Sequence, residues 1–217
     1  MENHNPVSNP IVPGQQISRD EGGEKTDATQ FKQMLGSLMY LTATRPDLMF
    51  VVSLISRFMA NPTKLHLAVI KRVLRYLKGT IDYGVFYRRG RENCFVGFTD
   101  SNYAGDMVDS KSTSGYVFLL SGGAVAWSSR KQPIVTLSTT EAEFVAAAAC
   151  ACQAIWMRRV LEDIGQSQEE AIILMCDNVS TIKLSKHPVL HGRSKHIRVR
   201  FHFLRDLVKE GIVDLQF

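Results

Sequence analysis

The chain has 217 residues, 45% of them hydrophobic and 22% charged, and 26 Lys+Arg against 21 Asp+Glu give it a net charge of +5. This is ordinary globular composition; it excludes disordered, collagen-like and fibrous classes, and at roughly 100–200 residues per domain it allows one large domain or two small ones. The mild basic excess hints at an anionic partner.

Residues 1–28 carry Pro6, Pro10, Pro13, Gly14, Gly22 and Gly23 among polar residues, without apolar periodicity. They read as a flexible N-terminal arm, and with no apolar run in residues 1–16 no secretory leader is expected. Residues 29–91 turn helical. Met34, Leu35, Leu38, Met39 and Leu41 mark one helix, and Leu48 to Ala60 a second. Asn61-Pro62 reads as cap and first turn of a third helix, which Gly79 ends. In that helix Val69, Ile70, Val73, Leu74 and Leu77 form the buried stripe, while Lys64, Lys71, Arg75 and Lys78 share another face. That basic face is either a solvated surface or one that meets phosphates.

A second unit, residues 92–217, follows the charged stretch Arg88 to Glu92. Residues 94–100 (CFVGFTD) form a short apolar run ending in Asp100, and residues 114–120 and 124–129 flank Ser121-Gly122-Gly123 as a hairpin. A long helix then runs to Gly165. Its longest uninterrupted apolar stretch, Phe144 to Cys152, is well short of the roughly 18 residues a membrane span needs, so no membrane partner is expected. Residues 171–177 (AIILMCD) are a second apolar run ending in an aspartate, Asp177. A short helix, a polar loop rich in His, Gly and Lys, a helix over about 194–210 and a last strand complete a mixed α/β sheet. Cys94, Cys150, Cys152 and Cys176 lie in apolar runs without C-x-x-C spacing, which predicts buried reduced thiols of an intracellular protein rather than disulfides or a zinc site. Trp127 and Trp156 are expected in the core.

Chemistry concentrates where the apolar strands end. If those strands are parallel neighbours, Asp100 and Asp177 meet at one end of the sheet, where two negative charges call for a cation between them. On the long helix Glu141 is followed by Val145, Ala148, Cys152 and Ile155 at helical spacing, which puts it on the buried stripe. Glu143 then points about 160–200° away, toward solvent. The alternative for Glu141 is a capping box with Ser138, or Thr140 and Glu143 one register later. Three carboxylates without cysteine partners suit hard cations such as Mg²⁺ or Mn²⁺, and two-metal phosphodiester hydrolysis is the reaction such a cluster serves.

The motifs NPIVPG, GSLMYLTATRPDLMF, SRFMANPTKLH and KRVLRYLKGT, then TDSNYAGD, KSTSGYVFLLSGGAVAWSSRKQ, LSTTEAEF, CDN and HGRSKHI, together span nearly the whole chain in one order. They resemble the end of the reverse transcriptase and the ribonuclease H domain of copia-type LTR retrotransposon Pol polyproteins. The resemblance implies an α/β fold, a ribonuclease H-like mixed β-sheet with flanking helices, preceded by a small helical reverse-transcriptase thumb or connection-like segment. It implies hydrolysis of the RNA strand of RNA–DNA hybrids with two Mg²⁺ ions, for which Mn²⁺ can substitute. By motif position it assigns Asp100, Glu141 and Asp177 as catalytic and metal-binding, and Asp106 is read as a loop residue. The implied partners are the hybrid and the rest of the polyprotein, in a cytoplasmic virus-like particle or the nucleus.

Two departures accompany the resemblance. The chain has no Asp-Asp pair, so polymerase activity is not expected. The family pattern also continues past the last strand into a helix whose Ala-Asp pair brings a fourth ligand, whereas the sequence stops at Phe217 and neither Asp206 nor Asp214 matches that position. The alternative to an active nuclease is therefore a truncated relic that only binds nucleic acid. Lys195, Arg198, His202, Arg205 and Lys209 recur along one face of the last helix and, with Lys71, Arg75 and Lys78, are the expected phosphate contacts. His187, His191 and His196 lack the spacing and cysteine partners of a metal site.

Overall fold

A computed structural model describes residues 4–88, 94–186 and 198–217. The chain divides into two compact units, Met1–Val85 with Asp106–Asp109, and Phe86–Gly105 with Ser110–Phe217. The division falls a few residues before the boundary expected at 91/92.

The first unit is helical. In α1 (Ala28–Leu41) Asp27 caps the amino end, accepting from Thr29 N at 2.8 Å, and Phe31, Leu35 and Leu38 are buried. A single 3-10 turn, Pro46–Leu48, leads into α2 (Met49–Ser56). The helix expected to run to Ala60 stops early because Phe58 turns inward to stack on the His66 ring at 4.2 Å.

The third helix, α3 (Lys64–Gly79), begins later than Asn61-Pro62 suggested, at a reciprocal cap between Thr63 and His66. His66 Nδ1 accepts from Thr63 N at 3.0 Å, so Nε2 carries the proton and donates to Ser18 O at 2.8 Å. Each ring nitrogen of this fully buried histidine is thus satisfied. The lead-in expected as a flexible arm is packed: Ile17 is buried, Glu24 O accepts from Lys64 N, and Lys25 bridges Thr63. Further toward the amino end, Arg72 Nη2 donates to Asn9 Oδ1, Arg75 Nε to Asn5 O at 2.7 Å and Lys78 Nζ to His4 O at 3.1 Å.

The second unit is a five-stranded mixed sheet in the order β3-β2-β1-β4-β5, formed by β1 (Phe95–Asn102), β2 (Thr113–Leu120), β3 (Gly123–Lys131), β4 (Ile172–Cys176) and β5 (Val213–Gln216). The first three strands are antiparallel, and Ser121 and Gly122 take positive φ in the two-residue turn between β2 and β3, as the hairpin motif predicts. β4 pairs parallel to β1, and β5 parallel to β4. This is the ribonuclease H-like mixed sheet with flanking helices that the motifs imply.

The long helix α4 (Thr139–Asp163) is the core helix of this unit. By length and composition it is apolar enough to cross a membrane, a criterion that the uninterrupted-run count missed, but most of its apolar window is buried inside the fold. Phe144, Ala147, Ala151 and Ala154 pack against Phe95, Phe118 and Leu174 of the sheet, and Leu204 of α6 (Arg198–Lys209) joins the cluster. Gly165, with φ of 76°, ends the helix region as expected.

At Gly97 the side chains of the two neighbouring strands close over the backbone, and an added Cβ would lie 2.6 Å from Phe118 Cε1 and 2.7 Å from Leu174 Cδ2. Gly97→Ala is therefore expected to overpack a full core and cost about 1–3 kcal/mol, read as a lower midpoint in urea or thermal melts. Two side-chain expectations change: Trp156 is 56% exposed because it sits on the opposite side of the helix from the packed row, and Cys94 and Cys152 are exposed while Cys150 and Cys176 are buried. All four cysteines are free thiols.

Candidate active site

The parallel register of β1 and β4 aligns Thr99 with Cys176, so the next residue of each strand run, Asp100 and Asp177, emerges at the same end of the sheet. Both carboxylates are exposed there. Asp177 is followed by Asn178, whose side chain accepts from Thr181 N at 2.9 Å and so caps α5 (Val179–Lys186). Thr181 Oγ1 in turn donates to Thr140 O at 3.0 Å, tying that helix to the first turn of α4.

The third carboxylate is Glu143, not Glu141. Glu143 is 6% exposed and its Oε1 accepts from Ser101 N of β1 at 3.0 Å. Burial, with the charges of Asp100 and Asp177 beside it, pushes its carboxyl up to about 7 against an ordinary 4.5, partly offset by the Ser101 hydrogen bond. Glu141 is equally buried but turns back along the chain, its Oε2 accepting from Leu137 N at 2.7 Å, while Ser138 Oγ accepts from Glu141 N at 3.2 Å. It is a capping residue, the alternative that the Ser138 box offered.

The row Val145, Ala148, Cys152 and Ile155 points to Glu141 in the sequence, but α4 is apolar on most sides and that row is not the deepest. The deepest row of α4 is the one through Glu143, made of Ala147, Cys150, Ala151 and Ala154, all 0% exposed. Where a helix lies close on a sheet, alanine takes the innermost positions, whereas the row through Glu141 reaches the exposed Cys152. The alanine run was the available signal.

Gln132 holds this corner together. It is 3% exposed, and its Nε2 donates to Ser114 Oγ at 2.8 Å and to Ala142 O at 2.9 Å, joining β2 to the first turn of α4 next to Glu143. Asp106, half of the same loop motif as Asp100, accepts from Val108 N at 2.9 Å and acts as a turn residue, as expected.

The residues fit a hard divalent cation. Glu143 Oε2 is buried with no hydrogen-bond partner among the described residues, although a buried carboxylate oxygen normally has one. Ligand atoms of Glu143, Cys176 and Asp177 all lie within 4.8 Å of one another. Burial chiefly, then the neighbouring negative charges, pushes the Cys176 thiol up to about 11. Asp100, Glu143 and Asp177 supply the oxygens that Mg²⁺ or Mn²⁺ prefer.

Of the expected phosphate contacts, Lys71 is exposed, but Arg75 and Lys78 donate to backbone carbonyls of the amino-terminal arm. On α6 His202 and Lys209 are exposed, and Arg205 is half-buried and donates to His202 Nδ1 at 2.9 Å. Lys195 and the side chain of Arg198 lie outside the described residues, as do His187, His191 and His196.

No family model matches the chain. It is 38% identical over 206 residues to the retrovirus-related Pol polyprotein from transposon RE1 of Arabidopsis thaliana, covering 95% of this chain and 14% of that one. It is 39% identical over 218 residues to the corresponding polyprotein from transposon TNT 1-94 of Nicotiana tabacum, covering 97% and 16%. Among solved structures, the foamy viral protease-reverse transcriptase in complex with an RNA/DNA hybrid is similar at a TM-score of 0.45 and 13% identity, over 88% of this chain and 24% of that one. The chain belongs to the retrovirus-related Pol polyproteins. Among them it belongs to the copia-type retrotransposon proteins, and it spans about a seventh of the length of those relatives.

Proposed function

We propose that the sheet-bearing unit is a divalent-metal-dependent nuclease that hydrolyses the RNA strand of RNA–DNA hybrids. The observation that carries this reading is the set of Asp100, Glu143 and Asp177 at one end of the sheet, with a buried, unpartnered glutamate oxygen among them. Bound there, two Mg²⁺ ions would supply an attacking water of lowered pKa and stabilise the leaving 3′ oxygen.

The chain's own groups do the positioning. Asp100 and Asp177, exposed at the strand ends, present oxygens toward solvent, from which a substrate phosphate approaches. Glu143 is held in place by Ser101 N and by the Gln132 corner, so its free oxygen is fixed before any ligand arrives. The exposed His202 and Lys209 of α6 and Lys71 of α3 would contact phosphates without reading sequence, which suits recognition of an A-like hybrid by shape. In this reading the unit works inside the cell as part of its polyprotein.

A hybrid labelled on its RNA strand, incubated with protein and Mg²⁺, is expected to be cleaved, and Asp100→Asn to abolish cleavage. Cleavage that survives the substitution would overturn the reading. Salt-dependent binding without cleavage in Mg²⁺ or Mn²⁺ would instead identify a nucleic-acid-binding relic, and cleavage of duplex DNA a different substrate.

A further inference from the structure

The cluster at the carboxylates contains a sulfur that hydrolysis does not use. Cys176 closes β4 with its side chain on the α4 side of the sheet, is 2% exposed, and has its Sγ within 4.8 Å of ligand oxygens of both Glu143 and Asp177. A cysteine beside acidic residues is common, but here a second observation points to a ligand: Glu143 is more than nine-tenths buried, its Oε2 has no hydrogen-bond partner among the described residues, and a carboxylate oxygen of this side chain lies within 4.8 Å of the ligand atoms of both Cys176 and Asp177.

We propose that Cys176, Glu143 and Asp177 form a site for one thiophilic divalent cation of the Zn²⁺, Cd²⁺ or Co²⁺ class. The chemistry separates two groups of ions. Mg²⁺ takes oxygen ligands and has no use for the sulfur, whereas a thiolate with two carboxylates favours borderline and soft ions. The thiol proton leaves to solvent as the metal–sulfur bond forms.

The dimensions agree. Metal–sulfur bonds of about 2.3 Å and metal–oxygen bonds of about 2.0–2.2 Å put neighbouring tetrahedral ligands roughly 3.3–3.8 Å apart, within a small side-chain adjustment of the spacing present. Exposed Asp177 gives the ion its way in, and a water completes the fourth position. An ion held this way occupies two of the carboxylates proposed for Mg²⁺, so it is an inhibitor of the proposed reaction. The inhibition rests on the nuclease reading, while the binding does not.

Cobalt binding separates the two. Wild-type protein titrated with Co²⁺ is expected to develop a near-ultraviolet thiolate-to-cobalt charge-transfer band that saturates at one equivalent and is displaced by Zn²⁺. Cys176→Ser and Cys176→Ala should lose the band, Cys150→Ser should keep it, and Glu143→Gln should weaken Co²⁺ binding at least tenfold. Melting curves identify any variant that has not folded, and X-ray absorption on the wild-type zinc complex provides a reading that needs no variant: one sulfur neighbour at about 2.3 Å. Absence of the band in wild type, its persistence in folded Cys176→Ala, or an all-oxygen zinc environment would overturn the proposal. A cobalt band in a protein that never cleaves hybrid leaves this site standing and removes the nuclease reading; hybrid cleavage insensitive to Zn²⁺, with no band, does the reverse.

Discussion

Glu143→Gln should lower Mg²⁺-dependent hybrid cleavage by on the order of 10²–10⁴, the range that follows from losing several kcal/mol of metal-assisted transition-state stabilisation. Glu141→Ala should leave the rate within a few-fold of wild type. Its cost is structural: without the acceptor for Leu137 N the first turn of α4 frays, for about 1 kcal/mol and a melting point lower by roughly 2–4 °C. The pair is decisive because the two glutamates are equally buried and two residues apart, so exposure alone does not tell them apart. If Glu141→Ala were dead and Glu143→Gln active, the site would have to be rebuilt around the other face of the helix.

The second large effect is on stability and involves pH. Between the ordinary carboxylate value of 4.5 and about 7, folded Glu143 keeps a proton that the unfolded chain has released. The contribution of Glu143 to the stability of the metal-free protein therefore falls as pH rises through that window and levels off above it. A gap that wide corresponds to at most about 3 kcal/mol, or a melting point roughly 5–10 °C lower at pH 8 than at pH 5 from this group alone. Mg²⁺ offsets both the burial of the charged form and the repulsion from Asp100 and Asp177 that raise Glu143, so millimolar Mg²⁺ should restore most of the loss at pH 8 and little at pH 5. Calorimetry with and without Mg²⁺ checks this, and Glu143→Gln should flatten both dependences. A melting point that fails to fall from pH 5 to pH 8 relative to Glu143→Gln, both without metal, would contradict the placement of Glu143.

Much of this architecture is legible in the residues. Two apolar runs that each end in aspartate bring their acids together if the strands are parallel neighbours, and the register of β1 and β4 meets that condition. Ser121-Gly122 fixes the hairpin because its turn needs positive φ twice. What failed did so for identifiable reasons. The third carboxylate was misplaced because a helix buried on most of its circumference has no single stripe, so the apolar row through Glu141 is no more diagnostic in sequence than the row through Glu143. The amino-terminal arm has no periodicity to read because it is held by backbone carbonyls on Arg75 and Lys78 and by Ser18 O on His66, contacts that leave no pattern in side-chain type. The same contacts involve two of the cations that the sequence offered to phosphates.

The alanines of α4 bear on how such a sequence decays. Ala142, Ala146, Ala147, Ala148, Ala151 and Ala154 are all at most 3% exposed, and a single-nucleotide change at an alanine codon gives mostly larger or charged residues. A copy drifting without selection thus has more ways to jam its core helix than to lose one of three acids. Intact carboxylates in a diverged copy are accordingly poor evidence of a working enzyme, and an unbroken small-residue row from Ala147 to Ala154 is the better genomic marker that the unit still folds.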